Sequence, residues 1–309
     1  MSSQGNHHTP HNYTTSNITE SKPNGYIDPN FPNPHGPHDV PIIIYGFTPS
    51  FALALFAAIW FTAFFLIHTI QLTIHRTWYF SSFTIGLLFE ITGYIARSLS
   101  AKLDPYHLIY FVLNYFFIVT APVFLAAGIY TILSVLISRL GTKYTPLSSK
   151  FILWFFITSD AVATITQVAG ASLIGSKTSK HEDPTTANNI LVGGLAYQVF
   201  SMSVFVLVGG SFLWRARRVL RRKKLVGFAV VFCTATLLVY LRTVFRLAET
   251  AEGLFGSLQT HEVYFAVLEF APVAAAVGLF AGWHPGRCLG GKKIDLQEDG
   301  KRYRRVARV

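Results

Sequence analysis

Seven stretches of this chain are apolar for about 20 residues each, the length an α-helix needs to cross a bilayer. They lie at approximately 50–71, 79–98, 108–136, 151–173, 190–214, 225–246 and 263–283 of the 309 residues. No other feature constrains the fold as tightly, because a chain in hydrocarbon must satisfy its backbone hydrogen bonds internally, and helices do so within one segment. The composition agrees: 51% of residues are hydrophobic and only 13% are charged, against about 25% in a soluble domain. The expectation is an all-α, polytopic membrane protein with seven transmembrane helices. The third stretch is longer than a span needs and contains Pro122, so tilt or a kink is expected there.

Lys and Arg set the orientation. With the N-terminus outside, the cytoplasmic segments hold Arg76, then Arg139, Lys143 and Lys150, seven basic residues in 215–224 and eight after His284. That is 19 of the 26, while Lys22, Lys102, Lys177 and Lys180 lie outside. The asymmetry favours N-out, C-in. The +11 net charge therefore reads as a topology signal, with anionic inner-leaflet lipids and not nucleic acid as partners of the basic loops. Residues 1–47 are polar, rich in His, Asn and Pro, and lack the apolar core of a signal peptide. They read as a disordered extracellular tail, with glycosylation sequons at Asn12 and Asn17. The transmembrane domain is placed at 48–284 and a basic cytoplasmic tail at 285–309. Of the two cysteines, Cys233 lies in the sixth stretch and Cys288 just past the seventh. No disulfide is assigned, and palmitoylation of Cys288 is an alternative to a free thiol.

Two of the stretches carry ionisable residues on one stripe. Glu90, Tyr94 and Arg97 are spaced i, i+4, i+7, and Arg242, Arg246 and Glu249 repeat that spacing. Each trio falls within about 60° of arc on its helix. A charge at bilayer depth costs about 2.5–3.5 kcal/mol even on the lenient insertion scale, so these stripes face a polar interior. Asp160 and Gln167 share a face of the fourth stretch, Asn114 and Gln198 add uncharged polar groups in the third and fifth, and Glu269 lies in the seventh, after Glu262 in the preceding loop. Together they suggest a substrate chamber open toward the outer leaflet and narrowing past Asp160. The alternative is a structural network with pairs such as Glu90–Arg246 and Arg97–Glu249.

Ala121-Pro-Val recurs as Ala271-Pro-Val, and the charged stripes recur at nearly the same offset. A 3+1+3 parallel repeat would explain this, with Pro122 and Pro272 as hinges; chance recurrence of Ala, Val and Gly is the alternative. No Lys lies in a span, which excludes a retinal Schiff base. No Gly-rich phosphate loop is present, so no nucleotide-driven pump is expected. His68, His75, His107 and His284 show no paired ligand spacing. No cofactor, metal or catalytic residue is expected, and the chain reads as not an enzyme.

The order and spacing of several motifs resemble one family over about residues 45–290. They are Glu90-Ile-Thr-Gly-Tyr-Ile-Ala-Arg97, Ala121-Pro122 with Ala126 and Tyr130, Asp160 with Gln167 and Gly170, and Gln198. Arg242-Thr-Val-Phe-Arg-Leu-Ala-Glu249 with Gly253 and Glu262, and His284-Pro-Gly286, complete the set. The chain is similar to the fungal lipid-translocating exporters, the RTA-like or aminocholesterol-resistance proteins; Glu269 stands where that family often has Asp. The resemblance implies a multi-pass plasma-membrane protein that moves amphipathic lipid-like molecules toward the exterior, such as sphingoid long-chain bases or sterol amines, conferring resistance to stress or toxins. A seven-helix lipid sensor or receptor is the competing class. Against it, Ser138-Arg-Leu140 stands where receptors carry an Asp-Arg-Tyr-like triplet.

Overall fold

The computed structural model describes residues 26–31, 36, 38–145, 147–179, 183, 185–253 and 256–289. The sequons at Asn12 and Asn17 and residues 290–309 of the basic tail lie outside these. The described residues form long helices and two isolated bridges, Tyr26–Ile43 and Asp39–His107. In chain order the helices are α1 (Phe51–His75), α2 (Ser81–Lys102), α3 (Leu108–Leu140), α4 (Ser149–Ser179), α5 (Thr185–Arg222) and α6 (Val226–Glu252). A final composite helix, α7, joins Glu262–Tyr264, a π-helical stretch Phe265–Phe270 and Ala271–Gly282.

Every expected span lies within one of these helices or overshoots it by a residue or two, and most of the helices are longer. The reason is that apolar runs mark only the hydrocarbon-length part, whereas a helix continues until a cap stops it. α1 begins where the Ser50 hydroxyl accepts from the Leu53 amide and ends at Arg76, whose backbone is left-handed at φ 50°. α5 runs on to Arg222, so most of the basic 215–224 run is helical. There Ala216 and Leu220 are buried while all seven basic side chains are exposed. Among the described residues six helices are long and apolar enough to cross a membrane: α1, α3, α4, α5, α6 and α7. α2 has the length but is diluted by Glu90, Arg97 and its Ser, Thr and Gly residues.

Each helix packs on its sequence neighbours, and α1 also meets α7, which closes the bundle into a ring. α3 touches α5 and α6 as well and is the most buried of the six apolar helices. Outward faces are apolar: Ile59, Leu66, Ile74, Ile165, Leu207 and Trp214 are all exposed, the arrangement expected where lipid is the solvent. The end where α1 and α3 start and α2 and α6 finish is called the upper end below. The lower end carries Arg76, Arg139 and the 215–224 run.

Small residues let backbones approach closely. On α2, a Cβ at Gly93 would lie 2.6 Å from Ile118 Cγ1 of α3. On α4, a Cβ at Gly170 would lie 2.7 Å from the Leu191 backbone nitrogen of α5, which cannot rotate away. Gly170→Leu is therefore expected to cost about 1–3 kcal/mol by overpacking and to lower the unfolding midpoint in detergent. Gly193→Ala, with nothing within 4 Å of its Cβ, is the neutral control. Equal midpoints for the two variants would refute the close approach of α4 and α5.

The two Ala-Pro-Val sites differ locally. Pro122 sits inside the continuous helix α3. Pro272 follows the π-helical turn, where the Ala271 amide bonds to the Ala266 carbonyl five residues back. Proline lacks an amide, and the wider turn absorbs the interruption.

Part of the tail expected to be disordered lies on the upper end. Ile43 and Tyr45 are buried with Tyr106, and Thr48 donates its hydroxyl hydrogen to Asp28. This bond and the Asn30 backbone amide hold the Asp28 carboxyl below its ordinary range. The physical reason is the aromatic content of 43–47: Tyr45 and Phe47 bury their rings against α2 and α3, which offsets the entropy of ordering the strap.

Candidate functional site

The charged stripes of α2 and α6 face one another and the start of α7, as their spacing predicts, but the ion pairs are not those expected. Arg97 Nη2 bonds Glu262 Oε1 at 2.9 Å. Arg242 directs both Nε and Nη2 to Glu269 Oε1, at 2.9 and 2.5 Å, and donates from Nη2 to the Ile118 carbonyl at 2.8 Å. Arg246 pairs with Glu249 on its own helix at 2.6 Å and lies 3.5 Å from Glu269. The pairs Glu90–Arg246 and Arg97–Glu249 do not form. α7 supplies the partners because Glu262 opens that helix, and the π-helical turn rotates Glu269 relative to a regular helix.

Glu262 also ties three elements together: besides Arg97 of α2 it accepts from the Ser50 amide at the start of α1, at 2.9 and 3.1 Å. The Arg97 guanidinium lies 4.0 Å from the centroid of the Phe265 ring and 5.2 and 5.6 Å from those of Tyr45 and Phe47, a cation in an aromatic cage. Tyr94 serves packing more than charge, with its ring stacked on Phe61 at 5.5 Å and set edge-on to Phe265 and Phe270.

A small recess sits at the upper end of this cluster. Tyr45 and Phe47 of the strap, Arg97, Asn114, Tyr115, Arg246, Glu249, Gln259 and Phe265 are among its walls. Three buried polar atoms on these residues make no well-formed hydrogen bond, Tyr45 Oη, Arg97 Nε and Asn114 Oδ1, with Ser100 and Asn114 beside the Tyr45 hydroxyl. Buried polar groups are normally satisfied, so this recess suits water or a polar ligand. Asn114 reads from sequence as an uncharged polar group of the chamber, whereas the strap residues do not stand out; their signal is two aromatics just before a span.

Glu90 is the exception among the charges. It is 2% exposed, lies one turn below Tyr94 on α2, and forms no ion pair or hydrogen bond among the described residues. Arg242, Arg246 and Glu269 act on it only at longer range.

Asp160, Gln167 and Gln198 form a separate patch between α3, α4 and α5. Tyr130 Oη lies 2.7 Å from Asp160 Oδ2, Gln167 Nε2 donates to Gln198 Oε1 at 2.9 Å, and the Ser159 hydroxyl donates to that of Ser201 at 2.9 Å. The structure thus divides the expected single chamber into a charged upper cluster and this uncharged-partner patch.

A third cluster escaped the sequence because its members are far apart in the chain. His284 has its ring centroid 5.9 Å from that of His68 and 5.6 Å from that of His75, at the lower end. A Cβ at Gly286 would lie 2.5 Å from His75 Cβ, so His284-Pro-Gly286 seals α7 against the end of α1. Among the described residues no group of three or more His, Cys, Asp or Glu could hold a metal ion.

The profile of the family described as RTA1 like protein matches residues 83–292, which contain α2 from its third residue, α3 through α7 and both charged stripes. The chain is 29% identical over 272 residues to the sphingoid long-chain base transporter RSB1 of Saccharomyces cerevisiae (strain Lalvin EC1118), covering 74% of this chain and 70% of that one. It is 28% identical to protein RTM1 of S. cerevisiae over 68% of this chain and 69% of that one. It is also 28% identical to protoporphyrin uptake protein 1 of S. cerevisiae, over 66% and 69% of the two chains. No solved structure matches. The relatives named for an activity are a transporter and an uptake protein, not enzymes, and the chain belongs to the RTA1-like family of membrane proteins.

Proposed function

We propose that the protein moves cationic amphipathic lipids across the membrane, with sphingoid long-chain bases as the leading class and sterol amines as the next. The observation that carries this reading is the charge count of the upper cluster. Glu90, Glu249, Glu262 and Glu269 are four carboxylates; Arg97, Arg242 and Arg246 are three guanidiniums, each within 4 Å of a partner that is not Glu90. One buried carboxyl has no partner, and an ammonium of a long-chain base supplies the positive charge that pairs with it in its ionised form. The buried Tyr45 Oη, Arg97 Nε and Asn114 Oδ1 suit the hydroxyls beside that ammonium, and the Phe-rich walls suit its tail.

The 29% identity to a sphingoid long-chain base transporter supports the same substrate class. In this reading α2 is the seventh span, the N-terminus is outside, the chain sits in the plasma membrane, and net movement is outward, with resistance to toxic amines as the consequence. Pro122 and Pro272 act as hinges, and the exposed basic end of α5 contacts anionic lipids.

The test is transfer of a labelled long-chain base between leaflets of liposomes holding the purified protein. Wild type is expected to move the label and to discriminate against an uncharged N-acyl analogue. Equal movement of both would remove the role of the ammonium, and binding without movement would mark the protein as a sensor instead.

A further inference from the structure

Asp160 stands apart from the charged cluster. It lies in the middle of α4, is 2% exposed, and no Lys, Arg or second carboxylate pairs with it among the described residues. From α3 it is faced by Tyr130, whose ring packs on Phe156 and Phe205 at centroid distances of 5.5 and 4.5 Å. From α5 this stretch meets Tyr197, Ser201 and Met202, with no Lys, Arg, His or carboxylate among them. The surroundings are close-packed and aromatic. One carboxylate with one hydroxyl offers too few oxygens for Ca²⁺ or Mg²⁺, which take six or more.

Tyr130 Oη has two acceptors in reach and one hydrogen to give. Asp160 Oδ2 lies at 2.7 Å and Met202 Sδ at 3.3 Å. If Asp160 is ionised, the hydroxyl donates to Oδ2 and the sulfur goes without. If Asp160 carries a proton on Oδ2, the carboxyl donates to Oη and the tyrosine hydrogen turns to Met202 Sδ. The second state also accounts for Asp160 Oδ1, which is buried without a partner: a neutral carbonyl oxygen without a partner costs far less than an unpaired carboxylate oxygen.

We propose that Asp160 is a proton-binding site, separate from the substrate cluster, whose occupancy is read by the Tyr130 hydroxyl as a choice between Asp160 and Met202. The reaction is addition or removal of one proton at Oδ2, exchanged with water, with rotation of one hydroxyl and no other bond change. This carries the transport reading one step further by naming an ion that drives the movement, and that use alone rests on it.

Infrared difference spectra of the purified full chain in lipid, recorded across a pH titration in H₂O and D₂O, test the site without any transport assay. Wild type is expected to show a carboxylic-acid C=O band that titrates, persists in Glu90→Gln and vanishes in Asp160→Asn. Tyr130→Phe removes the acceptor of the carboxyl hydrogen, and the band is expected to move to higher wavenumber. A band unchanged in Asp160→Asn, or the absence of any titrating band in wild type, overturns the proposal. If Asp160→Asn does not fold, the Tyr130→Phe shift decides in its place, and a band indifferent to Tyr130 overturns it equally. Failure of the liposome assay with these spectra intact would remove the transport reading and leave the proton site standing.

Discussion

Glu90→Gln is expected to abolish transfer of a long-chain base while leaving the fold as stable as wild type or more so. The two signs follow from one fact: Glu90 is buried with no ion pair or hydrogen bond among the described residues. A buried charge without a partner is a cost to the folded state, and the isosteric amide removes it without making a cavity. In the proposed transport role, the same change deletes the countercharge for an ammonium. Removing one partner of a buried charge pair costs about 2–5 kcal/mol of binding, and every 1.4 kcal/mol is about tenfold. Apparent affinity for a charged base should therefore fall by roughly 30-fold or more. Thermal unfolding in detergent and leaflet transfer in liposomes measure the two halves. A variant that transports normally would end the role of Glu90, and one that loses transport only because it unfolds would make the residue structural.

The contrast with its neighbours shows how far the sequence carries. The spacing of Glu90, Tyr94 and Arg97, and of Arg242, Arg246 and Glu249, is enough to aim two stripes at one interior, because helical geometry is regular over seven residues. It does not choose partners. Arg97 takes Glu262, which reads as a loop residue until the fold shows it opening α7. Glu269, inside a π-helical turn that a 100° rule does not anticipate, is shared by Arg242 and Arg246. Tyr94 reads as part of a polar stripe yet is held by Phe61 and Phe270, because an aromatic ring gains more from packing than its hydroxyl does from the cluster. The His68, His75 and His284 contact depends on two chain segments some 200 residues apart, and no local pattern records it.

Arg242→Ala is expected to be the most destabilising single change in the charged cluster. Arg242 and Glu269 are each about 2% exposed, and the guanidinium also serves the Ile118 carbonyl of α3. Its loss leaves a buried carboxylate with only the 3.5 Å contact to Arg246 and leaves the cavity of a long side chain. Breaking a buried pair by removing one member typically costs about 3–5 kcal/mol, much of what holds a domain together. The double variant Arg242→Met, Glu269→Met should recover most of that loss, since it removes both charges and keeps the volume. The relevant measurement is the unfolding midpoint of both singles and the double, read as a double-mutant cycle. A single Arg242→Ala as stable as wild type would mean that the pair contributes nothing. A stable double variant that still fails to transfer a long-chain base would give the pair a second role, holding Glu269 within electrostatic range of Glu90 so that the unpaired carboxyl is Glu90 alone. In that case the bundle uses its paired charges to fix helix positions and its one unpaired charge to meet the substrate.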